Sequence, residues 1–156
     1  MIEVSLTDSE KAAVAALAAL RLVHSLGAGL GQGHGRGTQQ RLSSEVTAMA
    51  AEYAASKALG LHWHLDLGRF HQPDVGPYHV RSCQPGGRLI IRDDDPDTEP
   101  FVLVEVDGHT CRLIGWCYPV NTKRNSYREA PNGRPPAWFV PREALQPLEE
   151  ISPCVS

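Results

Sequence analysis

The strongest constraint on the fold is a pair of apolar segments joined by a tight turn. Residues 101–106 (FVLVEV) and 111–118 (CRLIGWCY) flank Asp107-Gly108-His109. An Asp-Gly turn between two apolar runs is a strong signal for a β-hairpin, because both residues tolerate the positive φ that tight hairpin turns need. We therefore expect two antiparallel strands at the centre of a sheet.

Two helices are expected before this hairpin. Thr7-Asp8-Ser9-Glu10 has the pattern of a capping box, so a helix should run from about residue 8 to about residue 25. We interpret this alanine-rich helix as scaffold and not as part of a site. A second helix is expected from a serine cap at 43 or 44 to about residue 59, with Gly60 as its stop.

Alternating and apolar runs predict further strands. Residues 61–67 (LHWHLDL) alternate, which would place His62, His64 and Asp66 on one face, where a transition metal is a minor alternative to simple hydration. Residues 78–81, 89–91 and 137–140 are the other predicted strands, and 141–145 a closing helical turn. The acidic, proline-broken residues 93–100 are expected to form a solvated surface turn.

Size and charge limit the class of protein. With 156 residues, of which 42% are hydrophobic, the chain should form one soluble domain with a real core. It contains no run of about 18 apolar residues, so we expect no membrane span and a cytoplasmic protein. Its four scattered cysteines form no Cys-x-x-Cys pair and should be reduced. A net charge of −3 means that any polyanion must bind a local basic face.

The candidate site centres on Asp74. Pro73 favours an extended approach to it, Gly76-Pro77 bends the chain after it, and a strand should then place His79 and Arg81 on one face. A carboxylate, a ligating imidazole and a cation in this order can hold a divalent metal beside a phosphate. Glu52 lies on the second helix, two turns after Glu45 and on nearly the same side.

Two segments could contact a nucleic-acid backbone. Residues 121–134 carry Lys123, Arg124 and Arg128 around Tyr127, and Arg92 closes the apolar run 89–91. Basic side chains interleaved with an aromatic ring suit a phosphate backbone, although a merely solvated loop is an equal alternative. Residues 27–37 (GAGLGQGHGRG) lack the context of a nucleotide-binding loop and are predicted to be a mobile linker, with phosphate contact as a minor alternative.

Several of these runs together resemble the PD-(D/E)XK nuclease superfamily, and most closely a family of small phage and prophage proteins with that signature. The runs are EYAASKALGL (52–61), PDVG (73–76), HVR (79–81), FVLV (101–104), IGW (114–116) and RPPAWFVP (134–141). The resemblance spans about residues 44–148. It implies a restriction-endonuclease-like α/β fold, a mixed sheet of about five strands flanked by helices.

The resemblance also implies a catalytic set of Glu52, Asp74, His79 and Arg81, with Glu52, Asp74 and His79 as ligands of Mg²⁺ or Mn²⁺. Two positions depart from the superfamily pattern. His79 replaces a carboxylate or amide, which should lower magnesium affinity and relatively favour manganese. Arg81 replaces a lysine and keeps the positive charge, but it cannot act as a base.

We therefore expect one α/β domain. It would comprise residues 1–43 as an N-terminal helix and mobile glycine-rich loop, 44–148 as a nuclease-like core, and 149–156 as a frayed tail. The expected function is metal-dependent hydrolysis of nucleic acid, of DNA more than RNA, in the cytoplasm of a bacterial host. The alternative is a weak or inactive nuclease-like module that binds nucleic acid or protein. A homodimer is an allowed assembly.

Overall fold

The computed structural model describes residues 1–27, 37–65 and 71–151. The glycine-rich residues 28–36, Asp66 and residues 152–156 lie outside the described residues, and with them most of the predicted mobile linker and of the predicted frayed tail.

The described chain forms seven strands, two long helices and several short helical turns. The strands are β1 (Ile2–Ser5), β2 (His79–Cys83), β3 (Leu89–Ile91), β4 (Phe101–Asp107), β5 (Thr110–Cys117), β6 (Arg128–Glu129) and β7 (Ala137–Val140). The α-helices are α1 (Asp8–Gly27), α2 (Thr38–Leu59) and the single turn α3 (Pro119–Thr122). Single 3₁₀ turns cover Asn125–Tyr127, Pro131–Gly133, Arg142–Ala144 and Leu148–Glu150.

The expected sheet of about five strands is instead two sheets. A four-stranded mixed sheet has the order β1-β5-β4-β2, with β2 parallel to β4 and the other pairs antiparallel. A three-stranded antiparallel sheet has the order β3-β7-β6. The predicted hairpin β4–β5 is confirmed at the centre of the larger sheet. Strands β1 and β6 were missed because a four-residue edge strand and a two-residue strand carry almost no periodic signal.

The larger sheet is the middle layer of three. Val102 and Val104 of β4 belong to the core cluster that contains Ala51, Ala54 and other buried residues of α1 and α2. Phe101 and Leu103 belong to a second cluster with buried residues of the smaller sheet. Both faces of β4 are therefore covered, one by the helix layer and the other by the smaller sheet.

Helix ends follow local chemistry. The predicted capping box is confirmed, because the Thr7 N–H donates to Glu10 Oε2 at 2.8 Å and the Glu10 N–H donates to Thr7 Oγ1 at 3.1 Å. Gly60 ends α2 in the left-handed region at φ 65°, also as predicted. The predicted start of α2 was wrong: Ser44 lies inside the helix, where its hydroxyl donates back to the Gln40 carbonyl at 2.9 Å.

The alternating residues 61–67 do not form the predicted strand in their described part. Trp63 forms an isolated bridge with Val75, and the flanking bonds run from His64 N–H to Asp74 O and from Gly76 N–H to His62 O. The described part of residues 61–67 thus pairs with a tight turn around Val75. This turn is too short to form a ladder of strand hydrogen bonds. Cys111 and Cys117 are buried thiols, as expected. No helix in the described residues is long and apolar enough to cross a membrane.

Gly115 is required where β5 meets the C-terminal segment. A Cβ at Gly115 would lie 2.8 Å from the Gln146 carbonyl oxygen and 2.8 Å from Leu145 Cβ. This close approach allows Trp116 and Gln146 to exchange backbone hydrogen bonds of 3.1 and 2.7 Å. The C-terminal segment is thereby fixed against the central sheet.

We predict that Gly115→Ala lowers the free energy of unfolding by about 1–3 kcal/mol, because the added methyl group must displace backbone. Urea unfolding measures this free energy, and we expect the m-value to stay unchanged. Gly27→Ala is the matched control, since nothing lies within 4 Å of a Cβ there. An unchanged midpoint in Gly115→Ala would show that the C-terminal segment is not held as described.

Candidate functional site

A cavity of about 290 Å³ opens along β2, which is an edge strand of the larger sheet. The four residues of the predicted catalytic set line it, together with Arg92. Its other lining residues include Arg21, Glu45, His64, His71 and Asp95. The residues come from α1, α2, the turn before β2, β2 itself and the loop after β3. Side chains far apart in the sequence are thus brought to one place.

Asp74 is fixed by a tight turn and by the sheet edge. The N–H groups of Asp74 and Val75 both donate to the Tyr78 carbonyl, at 2.9 and 3.0 Å, and Gly76 supplies a φ of 53°. This is the bend expected at Gly76-Pro77. Asp74 Oδ2 accepts the Val80 N–H at 2.7 Å. The carboxylate therefore caps β2 on the side that has no partner strand.

The pKa of Asp74 is raised to about 7, first by burial and then by the negative charge of Glu52. The hydrogen bond from the Val80 N–H and the positive charges of Arg81 and Arg21 oppose this rise in pKa. Asp74 is therefore a carboxyl group that exchanges its proton near neutral pH. Such a group can serve as an acid or a base, or can accept a cation in place of the proton.

Glu52 lies on α2 and is only 4% exposed. Arg21 Nη1 and Nη2 donate to its two carboxylate oxygens at 2.9 and 2.8 Å, and Trp63 Nε1 donates to Oε2 at 3.0 Å. Helix α1, which the sequence led us to interpret as scaffold, also supplies Arg21 to the lining of the cavity. A bidentate arginine stabilises the buried charge of Glu52 and at the same time occupies both of its oxygens.

His79 and Arg81 share one face of β2, as the alternation predicts. This face is opposite to the one that packs on α2, the helix that carries Glu52. The His79 ring stacks on Phe101 with centroids 4.5 Å apart, and Arg81 lies 5.2 Å from the same ring centroid. His79 Nε2 is 2.5 Å from a Glu99 carboxylate oxygen, and Arg81 Nη2 donates to Asp95 Oδ1 at 2.6 Å. Phe101 faces the smaller sheet, whereas Glu52 belongs to the helix side.

Strand β2, at the edge of the larger sheet, thus separates the predicted metal ligands from one another. Glu52 lies on the helix side, His79 on the side of the smaller sheet, and Asp74 at the edge between them. Across the part of the chain that the structure describes, no three histidine, cysteine or acidic side chains are grouped closely enough to hold a metal ion. His62 and His64 stack edge to face, with centroids 4.9 Å apart, while Asp66 lies outside the described residues.

The acidic loop after β3 is not merely a solvated turn. Asp95 is 7% exposed and also accepts the Arg92 N–H at 2.7 Å. Two other aspartates of the loop hold cations of the predicted nucleic-acid face: Asp93 pairs with Arg128 at 2.7 and 3.1 Å, and Asp97 with Lys123 at 2.5 Å.

These pairs engage two of the four cations of residues 121–134, Lys123 and Arg128, within the protein. Lys123 and Arg128 also lie over the Trp138 ring, at 5.2 and 4.0 Å from its centroid. Arg124, by contrast, forms no ion pair with any described residue and lines a separate polar depression beside Tyr127. Arg92 lines the main cavity.

Several lining residues were not selected from the sequence. Arg21 and Asp95 lie in segments interpreted as scaffold and solvated turn, and Glu99 adjoins the cavity through His79. For Glu45 a signal was present, because it lies seven residues before Glu52 on one helix side. In the structure Glu45 lines the cavity and lies 3.7 Å from Arg21.

Comparison with models of protein families, with curated proteins and with solved structures found no match to this chain.

The raised pKa of Asp74 predicts a pH-dependent effect of Asp74→Asn. The folded state holds this proton up to about pH 7, whereas the unfolded state loses it near pH 4, so wild-type stability falls between these values. Asparagine can still accept the Val80 N–H but carries no charge. We expect equal stability at pH 4 and a gain for Asp74→Asn of the order of 2–3 kcal/mol above pH 7.

Urea unfolding at several pH values measures this gap. Asp93→Asn is the control. It should lower stability at neutral pH, in the opposite direction to Asp74→Asn, because Arg128 holds the pKa of Asp93 below its ordinary value. A gap for Asp74→Asn that does not widen between pH 4 and pH 7 would contradict the raised pKa.

Proposed function

We propose that the protein is a restriction-endonuclease-like nuclease that hydrolyses phosphodiester bonds of nucleic acid, of DNA in preference to RNA. The observation that carries the proposal is that Glu52, Asp74, His79 and Arg81 all line one cavity, on the two sides of β2 and at its edge. These residues equal the set implied by the resemblance to the PD-(D/E)XK superfamily, and they reach the cavity from separate elements. With an origin in a phage or prophage, as the resemblance implies, the protein would act in the cytoplasm of a bacterial host.

The cationic side chains of the cavity suit a phosphate group. Arg81 and Arg92 line it on the side of the smaller sheet, and Asp95 fixes both by bonds to the Arg81 guanidinium and the Arg92 backbone. A positioned guanidinium stabilises the negative charge that develops on a phosphate under attack. Arg81 Nε is buried without a hydrogen-bond partner among the described residues, so the side chain retains an unused donor.

Asp74 is the group of this cavity best suited to move a proton. Its pKa of about 7 means that it is partly ionised at neutral pH and can accept a proton from an attacking water. The electron pair of the water oxygen would form the new P–O bond, and the leaving oxygen would depart with the electron pair of the broken P–O bond and take a proton from solvent.

Mg²⁺ or Mn²⁺ is the cofactor that the resemblance implies, and when bound it would supply an activated water and charge neutralisation. The carboxylates of Asp74 and Glu52 have the right chemistry for such an ion. Their present arrangement does not fit it, because Arg21 occupies both oxygens of Glu52 and His79 is held by Glu99 on the other face.

A second candidate is a nuclease-like module that binds nucleic acid or a protein without cutting. The observation that favours it is that Glu52, His79 and Arg81 are each paired with a neighbouring side chain. Charged residues paired in this way stabilise a fold and need not take part in chemistry.

An assay of cleavage separates the two candidates. With supercoiled and linear DNA, and with RNA, we expect cleavage by the wild type, and parallel reactions in Mn²⁺, in Mg²⁺ and in chelator test whether the ion implied by the resemblance takes part. Asp74→Asn should reduce cleavage by at least about 100-fold, although it stabilises the protein above pH 7. Asp107→Asn, at the exposed end of the hairpin and outside the cavity, is the control.

Loss of cleavage together with a gain in stability cannot be attributed to unfolding. Nucleic acid that is bound but left uncut in every ion would favour the second candidate. Protein that neither binds nor cuts DNA or RNA would contradict both candidates.

The basic segment gives a further test, by binding to labelled DNA at several salt concentrations. Arg124→Ala should weaken binding and lower the salt slope by about 1, as expected for one lost phosphate contact. Arg128→Ala should have a smaller effect, because Arg128 is already paired with Asp93 and stacked on Trp138. Fluorescence anisotropy measures both. Equal slopes for wild type and both variants would exclude this segment from the nucleic-acid face.

A further inference from the structure

Every second residue of the acidic loop, from 93 to 99, is acidic and bonds to a basic side chain from another part of the fold. The four pairs are Asp93 with Arg128, Asp95 with Arg81, Asp97 with Lys123 and Glu99 with His79. Two of the basic partners belong to β2 at the cavity, and the other two belong to the basic segment, residues 121–134. One short loop therefore connects the cationic side of the cavity with the basic segment.

The four acidic residues of the loop differ in how firmly they are held. The side chain of Asp95 is only 5% exposed and accepts two hydrogen bonds, from Arg81 Nη2 at 2.6 Å and from a backbone N–H three residues earlier at 2.7 Å. The side chains of Asp93, Asp97 and Glu99 are 63%, 54% and 41% exposed. Exposed ion pairs are weak, because water and salt screen them. Asp95 thus anchors the loop, while the three other carboxylates can be exchanged for another anion at small cost.

The basic partners hold these carboxylates in the way that they would hold phosphate oxygens. Arg128 donates two bonds to its carboxylate partner, at 2.7 and 3.1 Å, which is the geometry in which a guanidinium also binds a phosphate. Lys123 Nζ donates to the Asp97 carboxylate at 2.5 Å and to the Asp95 carbonyl at 3.3 Å, so it lies beside the anchor of the loop. Both cations lie over the Trp138 ring. The loop therefore occupies a row of anion positions that starts at the cavity.

We infer that the acidic loop is an internal occupant of the surface on which a nucleic-acid strand binds, and that its exposed carboxylates compete with the phosphates of that strand. The surface extends from His79 and Arg81 at the cavity to Lys123 and Arg128 on the basic segment. The inference rests on the proposed function, from which it takes the identity of the polyanion, and it adds the path that the strand follows.

Competition by the loop has a measurable consequence for the salt dependence of binding. A phosphate reaches Lys123 or Arg128 only by displacing an aspartate, and the displaced aspartate takes up a counterion of its own. This uptake offsets the counterions that the nucleic acid releases, so the wild-type loop both weakens binding and flattens its dependence on salt.

Asp93→Asn/Asp97→Asn, the loop variant, tests the inference. It frees Lys123 and Arg128 but retains the anchor at Asp95. We expect its Kd for labelled single-stranded DNA to be about tenfold lower than that of the parent, because two exposed ion pairs no longer compete. Its salt slope should be steeper by about 1.4, since each phosphate contact of a single strand contributes about 0.7. Fluorescence anisotropy at several salt concentrations measures both.

Parent and variant both carry Asp74→Asn in this experiment, so that by the proposed mechanism the DNA stays uncut. Each single variant, Asp93→Asn or Asp97→Asn, should give about half of the change in slope. The single variants therefore test the inference independently of the stability of the double variant.

Two controls separate competition by the loop from a general effect of charge. Glu149→Gln/Glu150→Gln removes the same net charge at exposed positions of the last 3₁₀ turn, and it should change Kd by less than about twofold and leave the slope unchanged. Lys123→Gln and Arg128→Gln, added to the loop variant, should abolish its gain in affinity, because the freed cations are then absent.

Equal affinity and equal slope for the loop variant and its parent would overturn the inference. So would an equal gain in Glu149→Gln/Glu150→Gln, because the effect would then be one of net charge. The cleavage assay, with Asp74 intact, is independent of these results. Cleavage by the wild type without tighter binding by the loop variant refutes only the inference, whereas tighter binding without any cleavage by the wild type refutes only the nuclease.

Discussion

The structure depends on the burial of β4 on both faces. Residues 101–104 are fully buried, and consecutive side chains pack alternately against the smaller sheet and against the helix layer. Burial of this kind contributes about 1.5–3 kcal/mol for each large apolar side chain, which favours one register over any one-residue slip. Because β2 pairs in parallel with β4, His79 next to Phe101 and Val80 next to Val102 follow the same alternation. The packing of an apolar strand thus determines which charged residues can meet.

Local elements could be predicted from the sequence, and long-range partners could not. The hairpin, the capping box and the Gly60 stop each depend on residues a few positions apart, so their chemistry is visible in the chain. The start of α2 was missed because a serine can either cap a helix or bond back within it, as Ser44 does. The division into two sheets depends on which strand covers which face, and a list of strands does not contain that information.

The same distinction applies to the site. The bend at Asp74 and the shared face of His79 and Arg81 follow from neighbouring residues, whereas the bond between Arg21 and Glu52 joins positions 31 residues apart. Nothing in the sequence around Arg21 indicates that this arginine of an alanine-rich helix lines a cavity. The acidic loop was similarly interpreted alone, although its aspartates form ion pairs with Arg81, Lys123 and Arg128. An ion pair can be recognised only when the positions of both partners in the fold are known.

The hydrogen bond from the Val80 N–H to Asp74 also affects how molecules of this protein can associate. An edge strand with open N–H groups is a template on which a strand of another molecule can add. On β2 the outward N–H of Val80 is already taken by a side chain of the same molecule. Strand addition at this edge would have to expel the carboxylate from its only described hydrogen bond.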